Sequence, residues 1–220
     1  MNLNEICFVT CVNNDEWYRE CLLYIQRLEV PEGYTVSTAA VRNAASMAGG
    51  LNKAMRESNA KYKVYLQEDV FIIYPDFLKD VLRIFQNPDI GMIGVVGSAP
   101  IPPNGIWWEA ENIFGKVYDS HRGKLEKLSF REVDREYAET DCVDGLLLVT
   151  QYDIPWREDL FTGWYFYDLS QCREFTRQNY KVVVPRQAEP WCIHDCGVTR
   201  AGDDFHQYRQ VFVKEYFSKE

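Results

Sequence analysis

The chain has 220 residues, of which 46% are hydrophobic and 26% are charged. Its 33 acids outnumber its 24 bases, so the formal net charge is −9 at pH 7. This acidic balance argues against a nucleic acid or an anionic membrane surface as the main partner, and the length fits one domain with a sizeable core. We therefore expect an anionic substrate to be bound by a local positive charge, such as a metal ion or a helix N-terminus.

Signals for membrane insertion or export are not found in the sequence. No apolar run approaches the ~20 residues that span a bilayer, and the first five residues lack the basic start of a signal peptide. The seven cysteines form an odd set without a C-x-x-C pair, which favours free thiols. These features predict a cytoplasmic protein without a transmembrane segment.

The first half of the chain alternates between strand and helix patterns. Apolar runs predict strands over residues 6–12, 35–41, 64–66 and 90–97. Apolar residues at helical spacing predict helices near residues 17–28, 47–55 and 75–85. Strands and helices in regular alternation predict a parallel sheet that is covered on both faces.

The second half is less regular. Residues 98–137 contain prolines and the pair Trp107 and Trp108, and we predict a long loop or a β-excursion there. Strands are predicted over residues 143–150 and 180–185, and helices over residues 168–178 and 205–216. Because no repeat, low-complexity tract or linker interrupts the pattern, we predict a single α/β domain over residues 1–220, with a mostly parallel central sheet flanked by helices.

Two acids follow directly after the third predicted strand. Glu68 and Asp69 come where the strand over residues 64–66 ends. In open α/β sheets, ligands bind beyond the carboxyl ends of the strands, and short carboxylates at that edge suit a hard divalent cation such as Mg²⁺. The alternative is that these acids begin a turn or cap the helix that follows Pro75.

A series of motifs runs in a set order from about residue 6 to residue 216. They are FVTCVNND, LNKAM, LQEDV, VDGLLLVT, DLFTGWYFYDLSQCREF and WCIHDCG. Together they resemble family 2 glycosyltransferases with the GT-A fold, in particular the subgroup named after the streptomycin-biosynthesis StrF protein. The resemblance implies a nucleotide-diphospho-sugar transferase-like fold, with a donor-binding half over residues 1–97 and an acceptor half over residues 98–220.

The resemblance also implies a divalent metal, Mn²⁺ or Mg²⁺, on the diphosphate of the donor. The D-x-D motif of the family stands here as Gln67-Glu68-Asp69, so Asp69 matches the metal-binding acid and an amide replaces the first acid. His194 is the predicted second ligand, oriented by the neighbouring Asp195. A purely structural role for this histidine is the alternative.

Zinc offers a second reading of the cysteine-rich segment near the C-terminus. Cys192, His194 and Cys196 would combine with Cys7 and Cys11 in such a site. The spacing of these residues differs from the usual paired zinc motifs.

In the family, the loop after the first strand holds the nucleoside. Here that loop offers Thr10, Asn13 and Asp15, while Asn52 matches an asparagine on the donor-side helix and Glu68 stands at the strand end. We predict these five residues as donor contacts. A turn rich in Asn and Asp also forms without a ligand, so a structural role stays open for each.

An inverting transfer needs a carboxylate that accepts the proton of the attacking hydroxyl. Asp168 matches the acid of the family at the start of an acceptor-side helix and is the predicted base, although helix capping would also explain it. Asp144, Gly145 and Trp164 are the predicted contacts to sugar or acceptor. The pair Trp107 and Trp108 is a candidate lid.

These features predict a metal-dependent, inverting glycosyltransferase. Its donor would be a nucleoside-diphosphate sugar, with UDP suggested by family frequency, and its acceptor a glycan or a small molecule in bacterial polysaccharide or glycoconjugate biosynthesis. The substitution in the D-x-D motif leaves open a non-catalytic module that binds a nucleotide sugar or a glycan. A metal-dependent hydrolase that uses the same acids on water is the third hypothesis.

Overall fold

The computed structural model describes residues 1–199 and 201–218. The strands are β1 (Asn2–Val12), β2 (Thr35–Arg42), β3 (Ala60–Leu66), β4 (Val70–Ile72), β5 (Ile90–Gly94), β6 (Val96–Ser98), β7 (Ile113–Asp119), β8 (Glu126–Ser129), β9 (Tyr137–Thr140), β10 (Cys142–Val143), β11 (Leu147–Thr150), β12 (Lys181–Pro185) and β13 (Cys192–His194). The helices are α1 (Asp15–Ile25), α2 (Met47–Glu57), α3 (Phe77–Ile84), α4 (Tyr167–Arg177) and α5 (Asp203–Tyr216), with a 3-10 turn over Trp107–Glu109.

The central sheet has the strand order β2-β1-β3-β11-β5-β12-β9. β1 is parallel to β2 and β3, and β12 is parallel to β5. β11 lies antiparallel between β3 and β5, and β9 is antiparallel to β12. The prediction of a mostly parallel sheet flanked by helices is confirmed, and the antiparallel strands belong to the irregular second half.

Each face of the central sheet is covered by an apolar layer. Alternate residues of β1 point to opposite faces, so Phe8 packs in one layer with α1 and α3, and Val9 packs in the other with α2, α4 and α5. Cys21 on α1 and Phe175 on α4 are fully buried in these two layers. The central sheet is thus held from both sides, as its apolar strands predict.

A second, smaller sheet has the order β10-β6-β7-β13-β4, with β8 paired to β7. The predicted strand over residues 90–97 divides at Val95, where β5 stays in the central sheet and β6 leaves it to pair with β7. The predicted strand over residues 143–150 divides in the same way, into β10 and β11. The excursion after Ser98 therefore builds a sheet of its own.

The smaller sheet joins the excursion to the stretch after β3. β13 pairs in parallel with β7 and antiparallel with β4. The register places His194 opposite Asp119 on one side and opposite Val70 on the other. Residues from both halves of the sequence thereby meet at one edge of the fold.

Within the described part of the chain, the helices are too short or too polar to cross a membrane.

Candidate active site

The candidate site lies where β3, β7 and β13 end. Gln67, Glu68 and Asp69 form the turn between β3 and β4, and the Gln67 amide donates to the Leu146 carbonyl oxygen at 3.1 Å. The Asp195 amide donates to the Asp69 carbonyl oxygen at 2.9 Å. These backbone bonds fix the turn against the two neighbouring segments, which agrees with the predicted place of the acids beyond a strand end.

Asp69 carries a buried carboxylate oxygen that is not satisfied. Its Oδ1 accepts no hydrogen bond from any residue that the structure describes, although a buried charge without a partner is costly. The nearest cationic group is His194, whose Nε2 lies 3.9 Å from Oδ1, beyond hydrogen-bond distance. Burial raises the pKa of the Asp69 carboxyl above its usual range, and the charge on His194 partly opposes this shift. An added cation beside Oδ1 would satisfy this oxygen.

His194 is held in place from both ends of its ring. Nδ1 contacts Asp119 Oδ2 at 2.9 Å, and Nε2 contacts Gln67 Oε1 at 3.2 Å. Burial alone would lower the pKa of His194, but Asp119, Cys196 and Asp69 raise it well above the usual value. Both ring nitrogens thus face an oxygen of a neighbouring side chain, and a cation between Nε2 and Asp69 would take the place of a proton on Nε2.

The acid that orients His194 is Asp119, which corrects the prediction of Asp195. Asp195 is exposed and uses its backbone amide on Asp69. Asp119 is separated from His194 by 75 positions and becomes its neighbour through the pairing of β7 with β13. Its Oδ1 accepts from the His121 backbone amide at 2.8 Å and also contacts the His121 ring. Burial alone would raise the pKa of Asp119, but the hydrogen bonds with His194 and His121 lower it to about 2.

The predicted zinc set does not assemble. Cys7 and Cys11 are buried in the apolar layer against α2, whereas Cys192 is buried in the layer on the opposite face of the central sheet. A different set comes together instead, because the candidate ligand atoms of Asp119, His194 and Cys196 all lie within 4.8 Å of one another.

Asp168 lies in the first turn of α4 and is almost completely buried. Its Oδ2 accepts a hydrogen bond from the Gly145 amide at 2.8 Å. The helix begins after Phe166, which has a φ of 61° and makes no side-chain capping bond to the described residues. Asp168 is therefore not the N-cap, and the capping explanation does not apply. Burial and the nearby charge of Asp144 raise the pKa of the Asp168 carboxyl to about 7.

Tyr167, the neighbour of Asp168, contacts Gln67 in the turn after β3. Its hydroxyl donates to the Gly145 carbonyl oxygen at 3.1 Å and accepts from Gln67 Nε2 at 3.3 Å. A side chain on Gly145 would collide with Tyr167 and with Asp168, so the close approach requires glycine. Gln67, which replaces the first acid of the family motif, thus contacts both His194 and Tyr167.

The other predicted acceptor residues lie near Asp168 in the chain or in the fold. Asp144 is half-buried, its Oδ1 accepts from the Leu146 amide at 2.9 Å, and burial raises its pKa. Trp164 and Tyr165 expose 39% and 38% of their surfaces just before α4. Trp108 is 48% exposed and packs on Phe205, as Tyr165 does. Exposed aromatic rings of this kind offer faces on which a sugar can stack.

Glu68 holds the loop between β1 and α1. Its Oε2 accepts hydrogen bonds from the backbone amides of Asn13 and Asn14 at 2.7 and 2.8 Å. Asn14 caps α1, since its side chain accepts from the Glu16 and Trp17 amides. The sequence pattern singles out Asn13 in this loop, but the capping residue is its neighbour. The side chain of Asn13 is left exposed.

The remaining predicted donor residues differ in their access to a ligand. Asp15 is exposed and forms an ion pair with Arg42 at 2.7 Å. Thr10 is 1% exposed and lies within β1. Asn52 is also 1% exposed, and its amide group donates to and accepts from the Trp156 backbone at 2.9 Å. Both side chains are therefore buried, unlike Asn13 and Asp15, and their predicted contact with the donor stays a prediction.

Sequence reasoning did not find Asp119 or Tyr167 as site residues, and it considered Cys196 only within the zinc set with Cys7, Cys11 and Cys192. Asp119 and His121 form an acid-x-histidine pair, and His194 and Cys196 form a histidine-x-cysteine pair. These pairs are weak signals separately, because their meaning depends on the alignment of β7 with β13.

Comparisons with solved structures support the same fold at low sequence identity. A mannosyltransferase, PcManGT from Pyrobaculum calidifontis, solved in complex with GDP-Man and Mn²⁺, aligns with a TM-score of 0.56 and 11% identity over 98% of this chain and 70% of that chain. S. aureus TarS aligns with a TM-score of 0.57 and 11% identity over 99% of this chain and 40% of that chain. A shorter form of TarS in complex with UDP-GlcNAc gives a TM-score of 0.51 and 9% identity, over 92% of this chain and 60% of that chain.

The chain therefore spans less than two thirds of the TarS chains that it matches. A comparison with curated protein sequences gives no significant match. The family described as "Glycosyltransferase like family" matches residues 7–216. Since this match covers nearly the whole chain and the fold is that of GT-A glycosyltransferases, the protein belongs to this glycosyltransferase-like family.

Proposed function

We propose that the protein is a metal-dependent, inverting glycosyltransferase that moves a sugar from a nucleoside-diphosphate sugar to a hydroxyl group of a glycan or small-molecule acceptor. The observation that carries the proposal is the unsatisfied Oδ1 of Asp69, which lies 3.9 Å from His194 Nε2 at the carboxyl end of the parallel strands. An oxygen and an imidazole nitrogen at this edge are suitable ligands for a divalent cation. Family membership supplies the class of reaction.

Asp69 and His194 would hold the cation, and Asp119 would orient the imidazole through Nδ1. A bound Mn²⁺ or Mg²⁺ contributes positive charge that stabilises the diphosphate leaving group. Gln67 does not replace the missing first acid as an anionic ligand, because its amide is neutral. Its two ends contact His194 and Tyr167. We propose that a single direct carboxylate is sufficient here.

Asp168 is proposed as the base. A base must be deprotonated near neutral pH and must keep a fixed position. The pKa of about 7 meets the first condition, and the hydrogen bond from the Gly145 amide meets the second. The Asp168 carboxylate would take the proton of the acceptor hydroxyl as that oxygen attacks the anomeric carbon on the face opposite the diphosphate. Asp144 and the exposed ring of Trp164 would position the acceptor.

The donor nucleoside is proposed to lie against the loop between β1 and α1. Glu68 fixes this loop through two backbone amides, which leaves the side chains of Asn13 and Asp15 at its surface. Thr10 and Asn52 would support the loop and the donor-side helix from within the core. Residues 1–97 would then form most of the donor half, although His194 comes from the acceptor half, residues 98–220.

UDP is the proposed nucleotide. It is the frequent choice in the family, and TarS has been solved with UDP and with UDP-GlcNAc, whereas the mannosyltransferase was solved with GDP-Man. A StrF-type subgroup, a cytoplasmic location and a role in bacterial polysaccharide or glycoconjugate biosynthesis complete the proposal.

A thermal-shift panel of UDP, GDP, ADP and CDP, each with and without Mn²⁺, tests this proposal. A ligand that binds the folded state stabilises it by RT ln(1 + [L]/Kd), about 2.7 kcal/mol at 100 times Kd. We expect one nucleotide with Mn²⁺ to raise the melting temperature more than the sum of the two separate shifts. Asp69→Ala should remove the Mn²⁺-dependent part and keep the fold, while Asp195→Ala, at an exposed neighbouring acid, should keep both.

The outcomes separate the three hypotheses. No response to any nucleotide would contradict both a transferase and a nucleotide-sugar-binding module. Nucleotide binding without release of nucleotide from any donor sugar would indicate a binding module. Release at full rate without an acceptor would indicate a hydrolase.

A further inference from the structure

The imidazole of His194 belongs to a second group of metal-ligating side chains, in which its Nδ1 faces Asp119 while its Nε2 faces Asp69. Its Nδ1 lies 2.9 Å from Asp119 Oδ2, and the ligand atoms of Asp119, His194 and Cys196 lie within 4.8 Å of one another. The parallel pairing of β7 with β13 aligns His194 with Asp119, and Cys196 follows two positions later. The cluster is therefore produced by a strand register and not by a surface loop alone.

The backbone around this cluster is fixed by further hydrogen bonds. The Gly197 amide donates to Ser120 Oγ at 2.9 Å, and the Ser120 amide donates to the His194 carbonyl oxygen at 3.2 Å. Asp119 is buried, while Cys196 is partly exposed. Among the cysteines that the structure describes, Cys196 is the one that is not fully buried. An ion from solvent can thus reach the thiol and meet ligands that are already positioned.

The chemistry of this set differs from that of the donor site. A carboxylate oxygen, an imidazole nitrogen and a thiolate sulphur are three common ligands of Zn²⁺, which leaves a fourth tetrahedral position for water. Thiolate favours zinc and other thiophilic ions, whereas Mg²⁺ and Mn²⁺ prefer oxygen. The set should therefore discriminate between a thiophilic ion and the cation proposed beside Asp69.

The two nitrogens of one ring cannot serve both sites as a neutral ligand. A neutral imidazole has one lone pair and one N–H. When Nδ1 donates to Asp119, Nε2 keeps the lone pair and faces Asp69. When Nδ1 binds an ion instead, the ring proton resides on Nε2, and the Cys196 thiol releases its own proton to solvent. Occupation of one side therefore removes His194 as a ligand on the other.

We propose that Asp119, His194 and Cys196 form a second cation site, selective for a thiophilic divalent ion such as Zn²⁺, whose occupation withdraws His194 from the donor-site metal. The binding site stands on the cluster itself, and its inhibitory effect rests on the proposed function. Zinc would then act as an inhibitor of Mn²⁺-dependent donor binding.

Cobalt is the probe for the site itself. Co²⁺ bound by a thiolate gives an intense near-ultraviolet charge-transfer band, which requires no enzymatic activity. We expect the reduced, full-length protein to develop this band with one equivalent of Co²⁺, and excess Zn²⁺ to remove it. Cys196→Ser should lose the band, and His206→Asn, at an exposed histidine outside the cluster, should keep it. A band that is absent from the wild type, or unchanged in Cys196→Ser, would overturn the site.

Zinc competition then tests the inhibitory effect. With Mn²⁺ and UDP present, Zn²⁺ should remove the Mn²⁺-dependent rise in melting temperature in the wild type. Cys196→Ser should need at least roughly tenfold more Zn²⁺ for the same loss, because a direct ligand is gone. Equal sensitivity of both proteins would overturn the inhibitory effect. If neither protein responds to Mn²⁺ and UDP, the proposed function fails, and the cobalt band still decides whether the cation site exists.

Discussion

The proposed metal side of the candidate site contains the partly buried Asp69 and the proposed acceptor side contains the buried Asp168, and the two carboxylates have different surroundings. Asp69 Oδ1 accepts no hydrogen bond from the described residues and lies 3.9 Å from His194 Nε2, which supports the proposed role in binding a cation. Asp168 is anchored by the Gly145 amide, and the charge of Asp144 lies nearby, so its state is decided by a proton. In the proposed function, the two aspartates serve different chemistry because their neighbouring groups differ.

The largest expected effect concerns the acceptor side. Asp168→Asn keeps the size of the side chain and an oxygen that can accept from Gly145, but it cannot accept a proton. We expect the transfer rate to fall by roughly 10²–10⁴-fold, the range for loss of a positioned base. The shift produced by Mn²⁺ and nucleotide should stay unchanged. Near-normal turnover would exclude Asp168 as the base and direct attention to Asp144.

A smaller effect is expected from the acid that orients the metal-side histidine. Asp119→Asn removes the charge next to His194 Nδ1 while keeping an oxygen acceptor. We expect the affinity for Mn²⁺ in the presence of UDP to fall by about 10–100-fold, as measured by isothermal titration calorimetry. UDP binding without metal should not change. An unchanged Mn²⁺ affinity in Asp119→Asn would show that Asp119 does not orient a metal ligand.

The pH dependence of transfer sharpens the comparison further. The base works as the carboxylate, so a pKa of about 7 means that the rate rises as pH increases and levels off above that value. With saturating donor, acceptor and metal, we expect about a tenfold rise from one unit below the pKa to one unit above it. The residual rate of Asp168→Asn should be flat over this interval. A rise of equal size in that variant would assign the titration to another group.

The smallest effect is expected at Glu68, the neighbour of Asp69. Glu68→Gln weakens two charge-assisted hydrogen bonds to the Asn13 and Asn14 amides. We expect the free energy of unfolding to fall by about 1–2 kcal/mol in urea titrations, with a several-fold loss of UDP affinity in the absence of metal. If Glu68→Gln instead lost the Mn²⁺ response and kept metal-free UDP binding, Glu68 would act on the metal, which is the role proposed for Asp69.

The periodic elements of the first half could be predicted from the sequence because their signals are local. Apolar spacing along α1, α2 and α3 and the apolar runs of β1 and β5 depend on residues within one or two turns or on adjacent positions. The position of Asp69 beyond a strand end follows from the same pattern and from the rule for open sheets. Asp168, by contrast, rested on the resemblance to a family, and its proton chemistry stays a prediction.

Hydrogen-bond partners that are distant in the sequence depend on the tertiary structure. Glu68 meets the loop after β1 across 55 positions, Asn52 meets Trp156 across 104, and His194 meets Asp119 across 75. No local pattern encodes these pairs, since each depends on which strands become neighbours and in which register. One example is the strand break at Val95, where β6 leaves the central sheet. This creates the smaller sheet, in which β7 pairs with β13. The sequence by itself determined which acids and histidines were available, and packing determined which of them share a site.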